Sequence, residues 1–99
     1  MDLKDYREKI DEIDENFVYL FAQRMTLSAQ IAAYKKEHNL PIYVPEREQQ
    51  ILEKISKMAR PDLETYTREL FSFIFELSRN YQSKFNCQNS SPENDTEVV

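Results

Sequence analysis

The chain has 99 residues, no glycine, one cysteine and a net charge of −5, which bounds it to one domain with a modest core. That balance excludes a general electrostatic attraction to nucleic acid, and no apolar run approaches the about 18 residues of a membrane span. The charged start has no apolar segment of the secretion-signal kind, and Cys87 has no intrachain partner, so a cytoplasmic protein is expected.

The first predicted element is a helix from Asp2 to about Lys36. Leu3, Ile10, Phe17 and Ile31 fall seven or fourteen apart, and Tyr6, Ile13, Leu20, Leu27 and Tyr34 repeat at seven. This is a single helical stripe with a coiled-coil period. Acids in the first turn region (Asp2, Asp5, Glu8) suit the positive end of the helix dipole. Asn39 is the best available left-handed cap at the far end in a chain without glycine. His38 reads as an end-of-helix residue, since no Ser, Cys or second His is patterned with it as catalysis requires. A 35-residue helix is about 52 Å long, whereas a compact chain of this size has a radius of gyration of about 13 Å. The stripe therefore needs a partner along its length, and a homodimer built on this helix is expected.

Leu40 to Pro45 is a short extended connector, because each proline disfavours helix in the residue before it. Pro45 suits the first position of a second helix, running to about Ala59, with Ile51, Leu52, Ile55 and Met58 as its buried stripe. Val44 stands at its N-cap, where Asp or Ser is usual. Arg60-Pro61 breaks that helix, and Asp62 is expected to cap a third from about Leu63 to Phe85. Its expected buried line is Leu63, Thr67, Leu70, Phe71, Ile74, Leu77, Tyr81 and Phe85, with Ser78 and Gln82 extending it in polar groups. The sequence is thus all-α, with a helical domain over residues 1–86 and a disordered acidic tail over 87–99.

Arg24 breaks the apolar stripe of the first helix, and a guanidinium in a buried seam is costly unless an anion meets it. Lys35, about three turns later, lies near the same face, and Arg47 borders the core face of the second helix. Arg7 is about 25 Å from Arg24 along the axis and about 100° around it. It cannot serve one small site with Arg24 in the same chain, but an antiparallel partner helix brings it close. Two readings of Arg24 stand on pattern alone. It is a register-fixing polar residue paired with a carboxylate across the seam, or it is part of a site for a small polyanion.

The stretches Tyr6 through Asp14, Arg24 through Lys35, Leu40 through Gln49 and Ser78 through Gln82 closely resemble the all-helical class of chorismate mutase. The resemblance spans residues 3 to about 85, with four separated motifs in the right order. It implies three helices per chain, one long, one short and one medium, interlocked in an antiparallel homodimer that shares Arg7 between subunits. It implies that Arg24 and the partner's Arg7 bind the two carboxylates of chorismate, while Lys35 bridges a carboxylate and the ether oxygen. Arg47 completes the cationic surround, Glu48 takes the ring hydroxyl, Ser78 holds the ring carboxylate and Gln82 donates to the ether oxygen. Val44 departs from the Asp often found there; because the usual contact is made by backbone, little loss is expected. The implied reaction is the [3,3] rearrangement of chorismate to prephenate in aromatic amino-acid biosynthesis, with no metal, cofactor, nucleic acid or membrane partner. The alternatives are isochorismate pyruvate-lyase on the same fold and a non-catalytic helical dimerisation module.

Overall fold

The computed structural model describes residues 1–90, with side chains described through residue 84. Three α-helices, α1 (Leu3–Glu37), α2 (Pro45–Met58) and α3 (Glu64–Ser90), are joined by an extended connector and a 3-10 turn, Pro61–Leu63. Among the described residues there is no strand, and no helix is long and apolar enough to cross a membrane.

Both ends of α1 are closed by local chemistry. At the start, Asp5 N–H donates to the Asp2 carboxylate at 3.0 Å and Asp2 N–H donates to Asp5 at 3.2 Å. This reciprocal box satisfies two of the donors that a helix start leaves unpaired. At the other end Asn39 takes φ 56°, the left-handed conformation expected of it. Leu40 N–H reaches the Lys35 carbonyl at 2.8 Å and Asn39 N–H the Lys36 carbonyl at 3.3 Å, the paired bonds of a Schellman cap. His38 stacks on Tyr34 with ring centroids 3.9 Å apart, and its Nδ1 lies 2.9 Å from the Tyr34 carbonyl. It is exposed and belongs to the helix end.

The helix α3 is the platform. It packs against α1 on one side and α2 on the other, while α1 and α2 are not packed on each other. The buried residues of α1 are Ser28, Ala29 and Ala32, all small and all in its C-terminal half. Small side chains there let α3 approach closely, and Phe75 of α3 is buried in turn. The N-terminal half of α1 is left uncovered: Leu3, Tyr6, Ile10, Ile13, Phe17 and Leu20 are all more than half exposed. The radius of gyration is 17.3 Å and the longest extent 54 Å, well beyond the about 13 Å radius of a compact chain of this size.

Several expectations about the second half need correction. Asp62 does not cap the third helix. Pro61–Leu63 forms a 3-10 turn closed by Leu63 N–H on the Arg60 carbonyl at 2.8 Å, and α3 starts at Glu64. The Asp62 carboxylate instead takes two hydrogen bonds from Arg60, at 2.7 and 3.0 Å, which hold it below the usual carboxylate range. The α3 backbone continues past Phe85 to Ser90, so residues 87–90 are helical; the tail reading for 91–99 lies outside the described residues. Met58 is exposed rather than buried, and α2 ends there, one residue before the expected Ala59. Among the described residues of α3 the buried apolar one is Phe75, not Ile74, and Leu70 and Tyr81, with Leu63 just before the helix, are exposed in the single chain.

Candidate active site

The separation of α1 from α2 leaves a cavity of about 400 Å³, floored by α3 and rimmed by the connector. Arg24 and Lys35 come from α1, Val44 from the connector, Arg47 and Glu48 from the first turn of α2, and Ser78 and Gln82 from α3. The seven intrachain residues singled out in the sequence therefore line one space. Arg7 does not. It lies on the exposed N-terminal half of α1, away from the cavity.

Backbone geometry sets each side chain. Pro45 at the first position of α2 starts the helix without a side-chain cap at Val44, whose carbonyl accepts from Arg47 N–H at 3.1 Å and Glu48 N–H at 3.3 Å. Those bonds hold the first turn of α2, and with it Arg47 and Glu48, at the cavity rim. The Lys35 ammonium donates to the Ile42 carbonyl at 3.0 Å, tying α1 to the connector and leaving two of its three donors for the cavity. The Gln82 amide nitrogen donates to the Ser28 carbonyl at 2.9 Å. Only the NH₂ end of an amide can donate to a carbonyl, so this bond fixes which end of the amide faces Ser28 and leaves its second N–H without a protein partner among the described residues.

Arg24 is half-buried and donates to Ser78 Oγ at 3.2 Å, with its guanidinium carbon 5.6 Å from the centre of the Phe75 ring. Ser78 in turn makes a weak 3.6 Å contact to the Met25 sulfur, an arrangement easily exchanged for a stronger acceptor. No carboxylate among the described residues is within ion-pair distance of Arg24. Burial, and then the charge of Arg47, hold its pKa below the usual arginine range. A bound anion relieves both costs, because it solvates the guanidinium and offsets the Arg47 charge.

Two residues at this site escaped the sequence reading. Phe75 forms part of the floor, and Arg79 pairs with Glu48 while lying 4.7 Å from the centre of the Tyr43 ring. The bond to Glu48 raises the Arg79 pKa above the usual arginine range. Phe75, Ser78, Arg79 and Gln82 fall at i, i+3, i+4 and i+7, a single helix face. That spacing was the available signal, but it mixes one apolar residue with three polar ones and so does not register as a stripe. Of the five charged side chains around the cavity four are cations, and the one carboxylate, Glu48, is already paired with Arg79.

An all-helical chain with a half-open, cation-rich cavity and, among the described residues, no serine–histidine or cysteine–histidine pair lining it has the chemistry of a site for small anions rather than of a nucleophilic hydrolase. The particular family is shown by comparison: residues 6–83 match the model of chorismate mutase type II, and the chain belongs to that family. It is 32% identical over 85 residues to "Chorismate mutase" of Methanocaldococcus jannaschii, covering 84% of this chain and 86% of that protein. It is 46% identical over 57 residues to "Bifunctional chorismate mutase/prephenate dehydratase" of Aquifex aeolicus, covering 58% of this chain and 16% of that protein. A third relative, the "T-protein" of Haemophilus influenzae, is 50% identical over 46 residues, which are 46% of this chain and 12% of that protein. The chain thus spans a small part of the latter two. No solved structure matches.

Proposed function

We propose that this chain is an isomerase that converts chorismate to prephenate. The observation that carries the reading is the cavity itself. Arg24, Lys35 and Arg47 line it without a carboxylate partner among the described residues, beside the neutral donors Ser78 and Gln82. Chorismate carries two carboxylates, and its rearrangement breaks a C–O bond and makes a C–C bond within one molecule, with no proton transfer or covalent intermediate. Such a reaction asks for two things: the flexible dianion held in its chair-like conformer, and charge on the departing ether oxygen stabilised.

Arg24 binds one carboxylate, with Ser78 turning its hydroxyl from Met25 to the ring carboxylate. Arg47 adds positive field at the rim, and Glu48 accepts from the ring hydroxyl. Lys35 and the second N–H of Gln82 donate to the ether oxygen, already oriented by Ile42 and Ser28. Because these partners are backbone carbonyls, the two donors need little reorganisation as charge develops. Val44 contributes backbone only.

The reading includes an antiparallel homodimer. The exposed stripe of α1 supports it, since an apolar seam of this length is costly in water. In that pairing the partner's Arg7 approaches Arg24 and Lys35 and closes the site as a second carboxylate clamp. A cytoplasmic location completes the reading, on a chain with one cysteine and no second one to pair with it. Incubating the purified chain with chorismate, following loss of its absorbance and identifying the product, tests the proposal. Prephenate is expected. Release of pyruvate, or no reaction, overturns it.

A further inference from the structure

The Arg79–Glu48 pair is the feature of the site that the family's general chemistry does not explain. Among the described residues Glu48 is the single carboxylate at a cavity whose other charged side chains are all cations, and a dianionic ligand entering there meets its charge directly. An unpaired Glu48 has two other fates: it swings onto Arg47 or Arg24 and occupies the groups meant for the ligand, or it stays and repels the ligand. Arg79 prevents both. It comes from α3, one residue after Ser78, and its guanidinium reaches across to the Glu48 carboxylate of α2. Its other face lies on the Tyr43 ring of the connector, 4.7 Å from the centre, so three segments of chain meet at one planar group. Both members of the pair are only partly exposed, Arg79 at 32% and Glu48 at 24%, so solvent screens them incompletely.

We propose that Arg79 is a positioning residue, which acts through Glu48 by holding that carboxylate against the cavity wall and cancelling its charge towards a dianionic substrate. The proposal rests on the chorismate reading for the identity of the substrate. One Glu48 oxygen stays on Arg79, and the other is left to accept from the ring hydroxyl. Arg24, Lys35 and Arg47 remain uncompensated for the carboxylates. The Tyr43 ring under the guanidinium ties it to the connector, which limits the directions in which the pair can open.

A double-variant cycle tests this, reading kcat and KM with chorismate and, separately, the binding of prephenate by calorimetry. Prephenate carries two carboxylates and a ring hydroxyl and needs no turnover. Arg79→Met is expected to lower kcat/KM by about tenfold to a hundredfold, mainly through KM, and to weaken prephenate binding by a similar factor. Arg79→Lys, which keeps the charge, recovers to within about threefold of wild type. In a Glu48→Gln background the Arg79→Met change costs less than about twofold, because the charge it cancels is gone. Arg79→Gln runs through the same cycle, so the outcome does not hang on one substitution folding. An equal Arg79 penalty in both backgrounds overturns the proposal, as does wild-type KM and binding in Arg79→Met. A wild-type chain that binds prephenate but leaves chorismate unchanged overturns the rearrangement alone, and the binding cycle then decides on Arg79. A wild-type chain that neither binds nor reacts overturns both.

Discussion

The electrostatic role proposed for Gln82 can be tested through its protonation chemistry. Gln82 is 7% exposed and spends one amide N–H on the Ser28 carbonyl at 2.9 Å, leaving the other for the ligand. A neutral amide donates at any ordinary pH, so the side chain imposes no titration on the rate. Gln82→Ala removes the donor, and losing one such donor typically costs about 10²–10³ in kcat, or about 2.7–4 kcal/mol of transition-state stabilisation. Gln82→Glu behaves differently. As a carboxylate it points an anion at the oxygen that gains negative charge, and it faces the Ser28 carbonyl with a second acceptor. Above its own pKa, log kcat/KM should therefore fall by about one unit per pH unit, until it reaches the floor set by the ionised form, at or below the rate of Gln82→Ala. Below it, the acid regains a donor, but only one O–H where the amide had two N–H groups. Since Ser28 competes for that hydrogen, recovery should stop short of wild type. Rate profiles of both variants from about pH 4 to 8, with helical content followed in parallel, give the answer. Parallel profiles for Glu and Ala remove Gln82 from the ether-oxygen role and leave Lys35 alone in it.

Three further outcomes are expected. Inactive Arg7→Ala and inactive Arg24→Ala chains refolded together should recover about a quarter of wild-type activity, because random pairing gives half heterodimers with one intact site each; no recovery from reassembled heterodimers refutes the shared site. Asn39→Ala should destabilise the fold by about 1 kcal/mol in denaturant unfolding, since φ 56° penalises a Cβ without a compensating side chain, whereas Asn39→Gly should be neutral or stabilising. Val44→Asp supplies the missing cap on α2 and should raise stability by about 1 kcal/mol, with kcat/KM staying within about threefold; a larger loss of activity would show that the side chain at 44 faces the substrate.

The features legible in the sequence were those governed by local rules. Helix α1 was readable because 35 residues carry one period without a proline or glycine, and its far end because Asn39 has few rivals for the left-handed cap in a glycine-free chain; Asp2 was read only as charge suiting the helix dipole, not as the cap it is. Pro45 was readable as a first helical position because it has no N–H to leave unpaired. The start of α3 was misread for a related reason. Asp62 has the chemistry of a cap, but Arg60 is two residues away and takes the carboxylate first, at 2.7 Å. A charge-assisted pair outcompetes a capping bond to a neutral N–H, and the α-helix begins at Glu64, one residue later than expected, after the 3-10 turn.

The floor of the site was harder to read, and the reason is the mixture of roles on α3. Hydropathy places Ile74 in the core and leaves Phe75 out, yet Phe75 is buried and Ile74 is half-exposed. What turns the helix is the polar set one step around: Ser78 bonded to Arg24 and Gln82 bonded to the Ser28 carbonyl, both buried. Phe75 lies on that face at i−3 from Ser78 and i−7 from Gln82, and Arg79 lies on it at i+4 from Phe75. Two hydrogen bonds to α1 thus set which face of α3 is inward, and a method that scores apolar residues alone cannot see them. The same face carries the proposed chemistry, so the positions where hydropathy fails are those where a dianion would be held.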